Sequence, residues 1–122
     1  MHAANRYRFR MVLIFKIIHA AEWAAASGSY AGSEKDRADG FIHFSTAEQI
    51  PGTLARYYAG ASDLMLVAVD EAALGAALKY EPSRDGALFP HLYAPLPLSA
   101  VTWARPIGFD AARGHILPSE FA

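Results

Sequence analysis

The chain has 122 residues, 53% of them apolar, enough for one domain with a real core and too few for two. Lys and Arg number 11 and Asp and Glu 12, for a formal net charge of -1, which excludes the basic face of a general nucleic-acid binder. There is no cysteine, so disulfides, thiolate metal sites and a cysteine nucleophile are excluded, and a cytoplasmic location is expected.

Arg6, Arg8 and Arg10 precede Met11-Val12-Leu13-Ile14-Phe15 and imitate a signal peptide, but Lys16, His19 and Glu22 interrupt the apolar run. Residues 1–10 are expected to form a disordered or poorly tied extension, with Met11 an alternative start, and residues 11–122 a single α+β domain. No segment approaches the roughly 20 apolar residues of a membrane span. Leu13 to Ile18 reads as a strand rich in β-formers. Ala20 to Ser27 reads as a short Ala-rich helix carrying Trp23 into the core, with Gly28 as its stop. Gly28 to Asp39 is polar and reads as a loop. Phe41 to Phe44 is a second strand. Ser45-Thr46-Ala47-Glu48 fits a capping box at the head of a helix running to about Ala59. In that helix Ile50, Leu54, Tyr57 and Tyr58 form one apolar stripe, Pro51 marks a kink or broken first turn, and Gly60 stops it.

Leu64 to Val69 is unbroken and apolar, as a central strand covered on both faces should be. Glu71 to Gly75 is at most one helical turn. Ala77 to Glu81 alternates as a strand, Pro82 to Ala87 is a turn, and Pro90 keeps Leu88 to Tyr93 extended. Val101 to Arg105 alternates again around Trp103, and the tail from Gly108 shows no strong element. This order predicts two early helices packed on a mixed or mostly antiparallel sheet. No G-x-G-x-x-G and no G-x-x-x-x-G-K-[ST] occurs, which argues against dinucleotide and P-loop sites of the usual kind.

Two strings carry the chemistry: Asp39-Gly40-Phe41-Ile42-His43-Phe44-Ser45 and Phe89-Pro90-His91-Leu92-Tyr93. Each sets a histidine in an apolar strand-like run, where a titratable ring is costly unless partnered or used. Period-two alternation puts Phe41, His43 and Ser45 on one face, and His91 and Tyr93 on one face of theirs. If both strands deliver their rings to one concave surface, His43 and His91 should lie within roughly 10 Å of each other, the span of a modest pocket. The alternative is two core histidines satisfied by backbone, with Ser45 merely capping its helix. Glu81, at a strand end, is placed to orient an imidazole, to stabilise a developing cation, or to meet solvent. Lys16 points into a polar pocket or to water. Gln49, on the first turn of the second helix, is placed to face the same cleft as His43, and Tyr30 to cover a ligand or the sheet edge. Arg84, in the turn, meets a phosphate or solvent. No His-x-His, H-E-x-x-H or G-x-S-x-G spacing occurs, so neither a metal nor a serine hydrolase is expected.

Ile14-Phe15-Lys16-Ile17, Glu22-Trp23, the two histidine strings, Gln49 and Lys79-Tyr80-Glu81 together resemble a small bacterial family of unknown function, DUF952, from about Met11 to Ile107. The resemblance implies an ADP-ribosyltransferase-like fold, a split and mostly antiparallel sheet whose cleft handles NAD-like ligands. Phe41-Ile42-His43-Phe44-Ser45 is also similar to the His-Val-His-Leu-Ser string of RNA 2'-phosphotransferases, matching it at His43 and Ser45. Lys16 stands where the transferases usually carry Arg or His, and Glu81 is in no E-x-E or Q-x-E motif. The implied site has His43, His91 and Glu81 as catalytic candidates, with Ser45, Tyr93, Lys16, Gln49 and Tyr30 around a ligand. The implied function is binding of NAD, as a substrate rather than a resident cofactor, or of another phosphorylated nucleotide, with transfer or hydrolysis of ADP-ribose. There Glu81 would stabilise an oxocarbenium-like centre and His43 would hold a ribose hydroxyl or phosphate. The alternative is a non-catalytic ligand-binding or protein-interaction module on the same fold. A monomer or weak dimer, acting without nucleic acid or membrane, is expected in either case.

Overall fold

A computed structural model describes residues 11–121; the expected extension over residues 1–10 lies outside the described residues. β1 (Leu13–His19) pairs antiparallel with β4 (Leu64–Asp70) along its whole length, from Leu13 opposite Asp70 to His19 opposite Leu64. β8 (Val101–Asp110) flanks β4 on the other side and turns back into β9 (Gly114–Ile116), giving the order β1-β4-β8-β9. β4 is central because its residues are apolar on both faces. Val67 and Val69 join Ile14 and Ile18 in one core, and Leu64, Leu66 and Ala68 join Phe15 and Ile17 in another. α3 (Ile50–Tyr57) closes the second core with Ile50 and Leu54, one turn apart on a single stripe. Burial of each such side chain contributes about 1.5–3 kcal/mol.

The second sheet has the order β3-β6-β5, from β3 (Ile42–His43), β6 (Leu88–Leu92) and β5 (Leu78–Pro82). A third pairing joins β2 (Ser29–Tyr30) to β7 (Leu96–Pro97), and all the strand pairings are antiparallel. The architecture is α+β. β1 is the outer strand of its sheet, and one rung ties it to the second sheet: Phe15 and Ser45 exchange two backbone hydrogen bonds of 2.8 Å. Among the described residues no further bridge joins β1 to β3, so a cleft opens between the half-sheets beside that rung.

Several local expectations are corrected. The segment read as a loop from Gly28 to Asp39 holds β2 and a capped helix, α2 (Glu34–Asp39). The break expected at Pro51 is present: a 3-10 turn (Ala47–Gln49) precedes α3, whose first turn accepts Pro51 because no intrahelical donor is lost there. The cap is Thr46 with Gln49, whose Oε1 accepts the Thr46 N–H at 2.9 Å, and not Ser45 with Glu48. The first helix is α1 (Ala20–Ala25); it buries no residue fully, and Trp23 packs against the core rather than inside it. The turn after β4 is a longer 3-10 stretch, Glu71–Ala77, interrupted at Gly75 with φ 62. The tail from Gly108 carries the last three residues of β8 and all of β9. No helix among the described residues is long and apolar enough to cross a membrane.

Candidate functional site

The cleft is a cavity of about 490 Å³, lined by β1 at Phe15 to Ile17, by α2, by His43, by Phe89 and His91 of β6, by Tyr57 of α3, and by the turn at Ser83 and Arg84. Its polar wall is built on Asp36. Ser33 Oγ accepts the Asp36 N–H at 3.1 Å and Asp36 Oδ2 accepts the Ser33 N–H at 2.9 Å, a reciprocal box that starts α2. Gly40, at φ 88, ends it. The same carboxylate reaches across to both half-sheets. Its Oδ1 accepts His43 Nδ1 at 2.6 Å and the His43 backbone N–H at 3.2 Å, and its Oδ2 lies 3.1 Å from Lys16 Nζ. Burial pushes the Asp36 carboxyl up, but the His43 hydrogen bond, the Lys16 charge and the Ser33 N–H together hold it well below the usual range. Burial pulls the Lys16 ammonium down, against the pull of Asp36, and its remaining cost is offset by a 2.9 Å bond to the His43 carbonyl. Lys16 points into the polar pocket, and its chain stem continues the apolar face of Ile14 and Ile18.

An ionised carboxylate only accepts, so His43 donates from Nδ1. Its Nε2 lies 3.0 Å from Asp39 Oδ2. His91 is directly opposite His43 in the β3–β6 pairing, and the two ring centroids are 5.5 Å apart. The expectation of two imidazoles on one concave surface within roughly 10 Å is met. Phe41 stacks on His91 at 4.1 Å and lies 4.6 Å from His43. His91 Nδ1 donates to Glu81 Oε1 at 2.7 Å, and Tyr93 Oη donates to the same oxygen at 2.7 Å. The Tyr93 and His91 bonds hold Glu81 below the usual carboxylate range, and the bond to Glu81 raises the Tyr93 phenol. In the neutral ring His91 Nε2 is then an acceptor; it is buried and, among the described residues, has no partner. Both imidazoles thus donate from Nδ1 to a carboxylate and differ at Nε2, which lies beside Asp39 in His43 and meets no partner among the described residues in His91.

Of the expected site residues, His43, His91, Lys16 and Ser45 line the cavity. Ser45 does so with its Oγ 3.1 Å from Thr53 Oγ1, not as a helix cap. Glu81 and Tyr93 stand behind His91 and are not lining residues. Gln49 is corrected: its Nε2 donates to the Leu88 carbonyl at 2.8 Å, tying the turn before α3 to β6 outside the cleft. Tyr30 is corrected too. Pairing of β2 with β7 turns it into the core, 5% exposed, with Oη donating to Glu22 at 3.0 Å. Asp36 was missed, although Ser33-Glu34-Lys35-Asp36 carries the capping-box spacing that could have found it. Among the described residues no group of three or more His, Asp and Glu side chains is arranged to hold a metal ion.

Residues 17–104 match the model of a family described as Protein of unknown function (DUF952). The crystal structure of protein CC0527 from Caulobacter crescentus is 46% identical to this chain, covers 89% of it and 97% of its own chain, and superposes with a TM-score of 0.83. The solution NMR structure of CC0527 is 48% identical over 86% of this chain and 91% of its own, with a TM-score of 0.75. Both were structural-genomics targets. No curated protein matches.

Proposed function

The chain belongs to the DUF952 family, and we propose that its cleft binds NAD or another phosphorylated nucleotide and, with NAD, hydrolyses or transfers ADP-ribose on a fold of the ADP-ribosyltransferase kind. The observation that carries this reading is the unpartnered Nε2 of buried His91 in the wall of a cavity of about 490 Å³, a size within the range of small-molecule sites. A buried acceptor without a donor costs free energy that a ligand hydroxyl or water recovers. The position of the cleft, between two antiparallel half-sheets tied by one rung, supports the fold assignment.

In this reaction a water or acceptor hydroxyl gives its proton to His91 Nε2 as its oxygen bonds to the anomeric carbon of the nicotinamide ribose. The C–N bond breaks, its electron pair leaves with neutral nicotinamide, and His91 passes the proton to solvent. Glu81 keeps the ring in the Nδ1–H form and Tyr93 keeps Glu81 in place, so Glu81 is a positioning residue acting through His91. His43 Nε2, now shared with the half-exposed Asp39, turns to a ribose hydroxyl or phosphate oxygen.

One observation favours the non-catalytic alternative. Asp36 and Asp39 are both engaged and Glu81 does not line the cavity, so among the described residues no carboxylate stands ready for an oxocarbenium centre. Incubation with excess NAD and chromatography of free nicotinamide separates the readings. Release that falls by about 10²–10⁴-fold in His91→Ala supports catalysis. Saturable binding without release supports the binding module. Absence of binding by NAD and ADP-ribose at millimolar concentration overturns both.

A further inference from the structure

We infer that Arg84 is the phosphate anchor of the cleft, an inference that deepens the nucleotide reading and rests on it for the ligand's other end. Three cations line the cavity, and two have acidic partners: Lys16 lies 3.1 Å from Asp36 and Lys35 3.0 Å from Asp39. Among the described residues Arg84 makes no ion pair. It is held by rings instead, its guanidinium carbon 5.0 Å from the Phe89 centroid and 5.8 Å from that of Tyr57. Aromatic packing covers the faces of a guanidinium and leaves its N–H edge free for the fork-shaped contact that phosphate oxygens fit.

Two features show that this arginine is seated rather than merely solvated. The turn that carries it is closed by its own backbone: the Ser83 N–H donates to the Ala87 carbonyl at 2.9 Å, and the Gly86 N–H to the Ser83 carbonyl at 2.9 Å. Facing it, α3 has a glycine at position 52, a residue that costs a helix interior about 1 kcal/mol relative to alanine. Apart from the helix's own atoms, what a side chain at position 52 would crowd among the described residues is Arg84 Nη2, 3.3 Å from where its Cβ would lie, so the bare helix surface leaves room for the guanidinium. Phe89 and His91 are two residues apart on β6 and both line the cavity, so the ring that seats the arginine and the imidazole project from one strand face, their backbone positions roughly 7 Å apart. A phosphate on Arg84 therefore leaves the adjoining sugar beside His91.

Calorimetric titration of the full chain with inorganic pyrophosphate, ADP-ribose and adenosine tests the anchor. Arg84→Ala should weaken pyrophosphate and ADP-ribose about tenfold or more, with Arg84→Lys intermediate because an ammonium brings charge without the fork. Gly52→Ala, which crowds Nη2 while favouring the helix, should weaken both ligands as well, and it decides the matter if Arg84→Ala fails to fold. Adenosine should be indifferent to all three. Unchanged ADP-ribose affinity in Arg84→Ala and Gly52→Ala overturns the anchor even if nicotinamide release proceeds. Arginine-dependent pyrophosphate binding without nicotinamide release sustains the anchor and overturns the reaction. No binding of pyrophosphate or ADP-ribose to the unaltered chain overturns both.

Discussion

Asp36 decides how much charge the site can carry. It accepts the Ser33 N–H at the start of α2, fixes the His43 tautomer and neutralises a buried lysine with one carboxylate that is 2% exposed. Asp36→Ala should cost about 3–5 kcal/mol, because it strands the Lys16 ammonium in the protein interior. Lys16→Met should cost clearly less, since Asp36 keeps His43 and Ser33 as donors. Urea denaturation measures both, and an Asp36→Ala loss below about 1 kcal/mol would rule out a structural hub. The sign of the pH dependence follows from the same contacts. The folded Asp36 carboxyl lies below its unfolded value of about 3.9, so the unfolded chain binds the proton more readily through that window. The stabilisation is complete above about pH 5 and drains away as acid reaches the folded value. Denaturation midpoints across pH 2–6 should show this slope, and the slope should flatten in Asp36→Asn. Nothing in the local sequence marks Asp36 as buried. In a polar, glycine-bounded stretch an aspartate reads as solvated, and its burial is imposed by Lys16, twenty residues earlier. The histidines were legible for the opposite reason, being polar residues in runs that needed none.

At the scale of elements, the apolar strands could be read from sequence, and the short polar elements could not. β4 is a continuous apolar run, and α3 shows its stripe through Ile50 and Leu54. α2 spans six residues and buries only Asp36, so no apolar period announces it. The β8–β9 hairpin was hidden likewise, with Phe109 and Ile116 both more than one-third exposed. α2 is nevertheless the element that brings Asp36 and Asp39 to the cleft, and it is held at its start by Ser33. Ser33→Ala should cost about 1 kcal/mol through loss of the cap. It should also loosen the Asp36–His43 contact, so amide exchange over residues 34–39 should accelerate and the His43 ring resonances should shift. A stability loss with unmoved His43 resonances would show that the cap serves the helix alone.

Over the described residues, two antiparallel half-sheets, with the short β2–β7 pairing beside them, share a wall of side chains and one backbone rung. The Lys16–Asp36–His43 cluster crosses the gap on one side of the cleft, and the Gln49 bond to Leu88 crosses beside α3. Between these ties, the outer edge of β1 and the β3–β6 surface face a cavity that a ligand would fill. Such a ligand touches both halves, so its binding energy should appear as stability in both. At a free concentration of 100 times Kd the global stabilisation should be about 2.7 kcal/mol. In hydrogen exchange, ADP-ribose at that concentration should slow the amides of β4 and those of β6 together, although β4 belongs to one sheet and β6 to the other. In Arg84→Ala the protection of β6 and of β4 should fall in parallel, because the arginine is seated on Phe89, on the strand that carries the His91 imidazole. Protection confined to the turn at residues 83–87 would mean that the anion sits at the rim and the cleft stays empty. That result would leave the free nitrogen of His91 without a ligand and remove the physical basis for placing chemistry there.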